Sequence, residues 1–217
     1  EISECLVGSE MCIRDRVVPT TVLTIASSAL VAYGFARFEF PFKKQLFALL
    51  IATLMLPNSV IIIPRYVLFN KFGWVDSYMP WWVPAILACY PFFIYQLIQF
   101  MRSIPRDLDE SAYIDGCSTF RVFWQILLPL MKSSLFSAGL FQFLWTYNDY
   151  FNSLIFINSV KKYTVSLALR LSVDAESVVV WGRVMAMACV AVLPLVLLFF
   201  AAQKYFVEGI ATSGLKG

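Results

Sequence analysis

The sequence predicts an all-α integral membrane protein, a polytopic helical bundle. Three observations carry that reading. Hydrophobic residues make up 60% of the 217 positions and charged ones only 14%. Mean hydropathy is +0.74. The charges also lie mostly between long apolar stretches rather than inside them. Soluble domains carry about 25% charged and about 45–50% apolar residues, so a soluble chain of this length could not hide so much apolar surface. A bilayer can, because lipid solvates it.

A hydrocarbon core about 30 Å thick needs about 20 apolar helical residues. Five stretches supply them. Residues 17–36 form the first, ending at Arg37. The second is 46–64, closed by Arg65, and the third is 77–101, closed by Arg102. The fourth, 133–160, is interrupted by Asp149, and the fifth, 184–203, is closed by Lys204. Pro57, Pro84, Pro91 and Pro194 fall within these stretches. Membrane bundles tolerate proline because neighbouring groups satisfy the freed carbonyls, so these positions read as kinks or as flexing points. The 20 Phe, 6 Trp and 10 Tyr suit helix packing and interfacial belts.

Residues 1–16, EISECLVGSEMCIRDR, stand apart. They are polar and lack the basic start and apolar centre of a signal peptide. They resemble a translated sequencing-adapter remnant, a non-native leader ahead of one domain spanning 17–217.

Lys and Arg give the orientation. Arg37, Lys43, Lys44, Arg102, Arg106, Arg121, Lys132, Lys204 and Lys216 fall on one side. Arg65, Lys71, Lys161, Lys162, Arg170 and Arg183 fall on the other. The richer side is expected in the cytoplasm, with the C-terminus. Five spans then start Val17 outside, and a cytoplasmic start needs one more helix upstream.

Several functions are disfavoured. The net charge of +3 is too small to suggest nucleic acid. Histidine, the commonest general base and metal ligand, is absent. Cys5, Cys12, Cys89, Cys117 and Cys189 show no CxxC spacing, and the last three read as small packing residues. No GxxxxGK[ST] loop occurs, so this chain is not itself an ATPase. The composition points to neither a metal nor a cofactor.

The segment 102–132, RSIPRDLDESAYIDGCSTFRVFWQILLPLMK, is too polar to span and too patterned for a passive linker. Pro105 suits a first helical turn. Asp107, Asp109 and Glu110 sit where negative charge complements the helix dipole. Gly116 is placed to end the helix in a left-handed conformation, and Ser118 to cap a second helix. Phe120, Phe123, Trp124 and Leu127 give that second helix an apolar side, and Pro129 marks its end. Two short helices joined by a glycine turn should lie against the membrane surface.

DESAYIDGCS, followed by ILLPL, resembles the EAA loop of ATP-binding-cassette (ABC) importer permeases. Glu110, with Ser111 and Ala112, matches its EAA triplet, and Asp115 with Gly116 its Asp–Gly pair. Ser111 and Cys117 stand where alanine is usual, and both are small. AYGFARFEFPFKK, LMLPNSVIIIPRYVLFNKFGWVDS, FLWTYNDYFNSLIF and QKYFVEGIATSGLKG resemble the smaller permease subunit of maltose-type sugar importers, in order along nearly the whole chain from Val17.

The resemblance implies the type I importer permease fold of six or more spans, five of them visible here. It implies a multi-pass protein of the bacterial cytoplasmic membrane carrying sugars or oligosaccharides, with glycerol-phosphate-type solutes as another class. A dimer of ATP-binding cassette subunits, a second and different permease, an external solute-binding protein and membrane lipid are the implied partners. Glu110, Ser111, Ala112, Asp115, Gly116 and Cys117 would form the surface that couples to the ATPase. Transport would proceed by alternating access.

Asp149 is the second place to look, with Tyr147, Asn148 and Asn152 beside it. An aspartate inside a span faces the bundle or a watery path rather than lipid. The group reads either as a contact on the translocation pathway or as a hydrogen-bonded lock between helices. Two other classes remain in view: an ion-coupled secondary transporter, and a membrane enzyme built on Asp149, Tyr147 and Tyr150. The first usually places ionisable groups at the midplane of broken or repeated helices. The second would have to work without histidine.

Overall fold

The computed structural model describes residues 13–159, 162–174 and 181–214, and every regular element among them is helical. Residues 1–12 of the leader lie outside the described residues. Ile13–Val17 wind as a π-turn into α1, Val18–Arg37. Arg16, inside the leader, is fully buried and donates to Ser153 Oγ and the Thr146 carbonyl, each at 2.7 Å.

Helix α1 is the centre of the bundle. Thr20, Thr24, Ser28, Ala32 and Ala36 recur at every fourth position, and each is at most 3% exposed. The first three hydroxyls have no hydrogen-bond partner, so small size is what these positions contribute. Such a ridge lets neighbouring backbones come close, which matters in lipid, where packing replaces the hydrophobic driving force between helices. Across the described residues α1 packs most extensively on α5, Pro91–Ser103, then on α4, Met79–Ile86. Phe93, Leu97, Ile98 and Met101 of α5 fill the core opposite Ala29, Ala32, Tyr33 and Ala36.

Three expected stretches prove to be broken. The second stretch becomes α2, Lys43–Leu54, and α3, Asn58–Lys71, bent by 102°. Pro57 holds an extended conformation at the bend and cannot donate to the preceding turn. Pro57 and Pro91 therefore stand at helix starts, whereas Pro84 lies inside α4. Between α4 and α5 the chain turns through Ala88, which takes a left-handed conformation, φ 55°. The fourth stretch is α8, Lys132–Tyr147, then a short α9, Tyr150–Phe156.

Before α8 lie α6, Asp107–Ile114, and α7, Thr119–Leu130, whose middle Val122–Leu127 is a π-helix. The bend between α7 and α8 is 77°. The chain continues as α10, Val165–Asp174, and α11, Trp181–Gly214, which contains Pro194 and the expected fifth stretch.

Among the described residues, Arg14–Arg37 and Met79–Ser103 are long and apolar enough to cross a membrane, and each bent pair could add one span. Helix α2 is apolar after its two lysines, yet none of its residues is buried. Leu49, Met55, Ile63 and Leu197 are likewise exposed. So much unshielded apolar surface is stable only where the surrounding solvent is itself apolar.

The close seam along α1 generates a prediction. Ala32→Leu should overpack the contact and cost about 1–3 kcal/mol. A lowered thermal unfolding midpoint of the purified protein is the expected result, and an unchanged midpoint would contradict the seam.

Candidate functional site

The segment 102–132 folds as a projecting knob. Helix α6 starts at Asp107, two residues after Pro105, with Asp107, Asp109 and Glu110 in its first turn. It ends as the sequence anticipates. Gly116 adopts φ +79°, Cys117 N–H donates to the Ala112 carbonyl at 2.9 Å, and Gly116 N–H donates to that of Tyr113 at 3.1 Å. This pair of bonds is a Schellman motif, which a residue with a Cβ would strain. Ser111 Oγ donates to the Asp107 carbonyl one turn back, at 2.7 Å. Ser118 takes the extended conformation of a cap residue, but its side chain makes no capping bond.

One side of the knob is anchored. The Arg37 Nε lies 2.7 Å from Asp109 Oδ2, with the two side chains 6% and 8% exposed. It is an ion pair rather than an aligned hydrogen bond, since Arg37 Nε and Asp109 Oδ1 have no hydrogen-bond partner. The other Arg37 nitrogens donate to the Ile104 carbonyl at 3.2 Å. Burial pushes the Asp109 carboxyl up from its ordinary value, against the opposing pull of Arg37 and Arg106. Tyr33 donates to the Thr119 carbonyl at 3.0 Å and packs on Phe123 with ring centres 4.9 Å apart. Ala112 is buried in the core and Cys117 packs against it.

The other side is open. Glu110, Ser111, Asp115 and Gly116 are exposed. Beside them Ile114 is 87% exposed. Phe120 and Trp124, whose rings stack, are also exposed but line an apolar groove with Ile25 and Leu30 of α1 and Leu140 of α8. Of the expected apolar side of α7, Phe123 and Leu127 turn inward while Phe120 and Trp124 turn out. Three features escaped the sequence reading. Asp109, grouped there with the dipole charges, is an anchor. Its partner Arg37 is 72 positions away, beyond any local pattern. The outward Ile114 carries only the bland signal of an apolar residue in a polar loop.

The second group lies at the other end of α1. Asp149 is not mid-helix: it caps α9, its Oδ1 accepting from Asn152 N–H at 3.2 Å and from Asn152 Nδ2 at 2.8 Å. The Trp81 indole donates to Oδ2 at 3.0 Å, and Arg65 donates to Asn152 Oδ1. Tyr147 is buried and donates to the Ala191 carbonyl of α11 at 2.8 Å, away from that network. Asn148 is exposed and bonds back to its own helix. Of the four expected residues, the structure thus brings Asp149 and Asn152 together. It adds Trp81 and Arg65, which sequence spacing did not single out.

Near the same end, Asp76 clasps two loops. It accepts from Ser159 Oγ at 2.5 Å and from the Ser159 and Asn158 N–H groups at 2.9 and 3.1 Å, and it faces Lys162 at 3.4 Å. The Ser159 hydroxyl first, with the backbone N–H groups and Lys162, holds its carboxyl well below the usual range.

Comparisons with known proteins agree on the kind of molecule. Residues 21–212 match the family described as binding-protein-dependent transport system inner membrane component. The probable ABC transporter permease protein YurM of Bacillus subtilis is 34% identical over 91% of this chain and 66% of its own length. The trehalose/maltose transport system permease protein MalG of Thermococcus litoralis is 30% identical over 91% of this chain and 71% of its own. The arabinooligosaccharides transport system permease protein AraQ of Bacillus subtilis is 31% identical over 91% and 69%. A chain in the crystal structure of a bacterial ABC transporter involved in the import of the acidic polysaccharide alginate superposes with a TM-score of 0.82. It is 18% identical, over 94% of this chain and 75% of that one, a likeness of fold.

The anchored side of the knob can be tested directly. Asp109→Ala leaves Arg37 buried without its counter-charge and should cost about 3–5 kcal/mol. Arg37→Met combined with Asp109→Leu removes both charges and should recover most of that loss in the same unfolding assay. Equal damage from the single and the double change would contradict the pairing.

Proposed function

The chain belongs to the family of binding-protein-dependent transport system inner membrane components, and we propose that it serves as a permease subunit of an ABC importer for sugars or oligosaccharides. Residues 17–217 form one permease domain with five spans. These are α1, the bent pair α2–α3, α4 with α5, α8 with α9, and α11. The knob and the C-terminus lie in the cytoplasm, as the Lys and Arg distribution supports. The printed names of relatives that carry trehalose/maltose and arabinooligosaccharides support the substrate class.

The single observation that carries the mechanism is the two-sided knob. A capped helix is buried on one side against the bundle through Asp109 and Ala112, and is open on the other. Exposed Ile114 offers apolar surface to a partner, and fully burying such a side chain contributes about 1.5–3 kcal/mol. Glu110 and Asp115 give that surface negative charge to meet cations of an ATP-binding subunit. Closure of the ATP-binding dimer would push α6. The ion pair to Arg37 and the bond from Tyr33 would pass the push to α1, and the bundle would alternate between inward and outward access. A second, different permease completes the pathway, and an external solute-binding protein delivers the solute.

For Tyr147, Asn148, Asp149 and Asn152 the geometry favours a structural lock over a solute contact. Asp149 is already filled by donors from Asn152 and Trp81, and Tyr147 is spent on α11.

Glu110→Lys tests the coupling role. Reversing an interface charge should cut uptake by the reconstituted complex roughly tenfold, a coupling loss of about 1.4 kcal/mol, while ATP hydrolysis continues. Normal uptake by this variant would count against docking at α6.

A further inference from the structure

The end of α1, the start of α2 and the end of α5 converge on a polar cavity of about 450 Å³. Its size falls within the range of small-molecule sites. Four cations line it, Arg37, Lys43, Arg102 and Arg106, against one lining carboxylate, Glu39. Two of the cations are committed. Arg37 faces Asp109, and Lys43 pairs with Glu39 at 2.9 Å. The other two have donors to spare. The Arg102 guanidinium stacks 5.0 Å over the Phe47 ring, and Arg106 makes one long bond, 3.4 Å, to the Ala36 carbonyl. Neither is in an ion pair among the described residues.

The cavity opens beside an unusual surface. Phe42, Leu46 and Leu49 are exposed and lead away from it along α2, the helix with no buried residue. A ligand that fits both parts needs an anionic head for the guanidinium groups and a long apolar tail for α2. Guanidinium forks match phosphate oxygens two at a time, and basic pockets at the cytoplasmic ends of membrane helices attract anionic headgroups. A free anion would use the cations but leave the apolar lead uncovered.

We propose that this cavity binds the phosphate headgroup of an anionic phospholipid of the cytoplasmic leaflet, with an acyl chain lying along α2. The proposal rests on the orientation given above. A bound lipid would sit against Arg37, next to the ion pair that holds the knob, and so would bring membrane composition to bear on coupling.

Native mass spectrometry of the assembled transporter, released from bilayers of phosphatidylglycerol and phosphatidylcholine, tests it. Wild type should retain phosphatidylglycerol in preference. Arg102→Gln with Arg106→Gln should lower that retention roughly tenfold or more, since each basic group near a membrane surface contributes separately. Arg102→Gln alone, at an exposed position, should lower it several-fold, and the same spectrum reports whether the complex is intact. Arg121→Gln, an exposed cation outside the cavity, should retain the lipid as wild type does. Equal retention of phosphatidylcholine, retention indifferent to both arginine changes, or displacement by excess inorganic phosphate would overturn the lipid assignment. Labelling of Ser103→Cys with a membrane-impermeant thiol reagent, in a background with the five native cysteines changed to serine, separates the two layers. Labelling only from the cytoplasmic side, with no phosphatidylglycerol preference, removes the lipid site and leaves the importer reading standing. Labelling from outside removes the orientation, and with it the leaflet proposed here.

Discussion

The buried ion pair of Arg37 and Asp109 is the constraint on which the arrangement depends. A short helix projecting from a membrane bundle can carry force only if its foot cannot slide. Apolar contact alone would leave it free to roll, because dispersion is not directional. A charge pair with both members out of water behaves differently. Desolvation makes it costly to assemble, and removal of one member leaves an uncompensated buried charge. The upward push of burial on the Asp109 carboxyl expresses that cost. Arg37 ends α1, its remaining donors hold the Ile104 carbonyl just past α5, and Asp109 lies in the first turn of α6. One side chain therefore ties three elements together at the place where a push would enter.

The same helix reaches the other end of the molecule. Val18 and Arg37, the two ends of α1, are 19 residues apart, about 30 Å by helical rise. Just ahead of its far end, in the π-turn of the leader, Arg16 meets Ser153, Thr146 and the Trp81 ring, next to the network of Asp149, Asn152 and Arg65. Between the two ends runs the ridge of small residues, which presses α1 onto α4 and α5 with little room for independent movement. In the proposed mechanism α1 is the rod that couples the two ends, and the tight seam makes it move with its neighbours.

Much of this was legible in the sequence, and for definite reasons. The stretches at 17–36 and 77–101 read well, since a bilayer imposes its length on a span and Arg14–Arg37 and Met79–Ser103 are long and apolar enough to cross one. The cap of α6 read well because Gly116 answers a local backbone demand that few residues can meet. The helix breaks were harder. Pro57 marks its own bend, but Ala88 carries no turn signal, and the break at Asn148 and Asp149 sits inside a run that looks continuous. Asp149 was visible as a polar residue in an apolar stretch. Its role as the cap of α9 depends on Asn152 and on Trp81, which is 68 positions away. Asp109 is the clearest case. Its neighbours suggested a dipole charge, and only the fold brings it to Arg37.

In the proposed mechanism the open side of α6 meets an ATP-binding subunit in the cytoplasm. Ile114, the most exposed of its apolar residues, is the place to ask. A photo-reactive amino acid installed at position 114 of the assembled transporter should give one dominant adduct, to the ATP-binding subunit, with a yield that changes when ATP is bound. Adducts to lipid or to the external solute-binding protein alone, with none to the ATP-binding subunit, would contradict docking at α6.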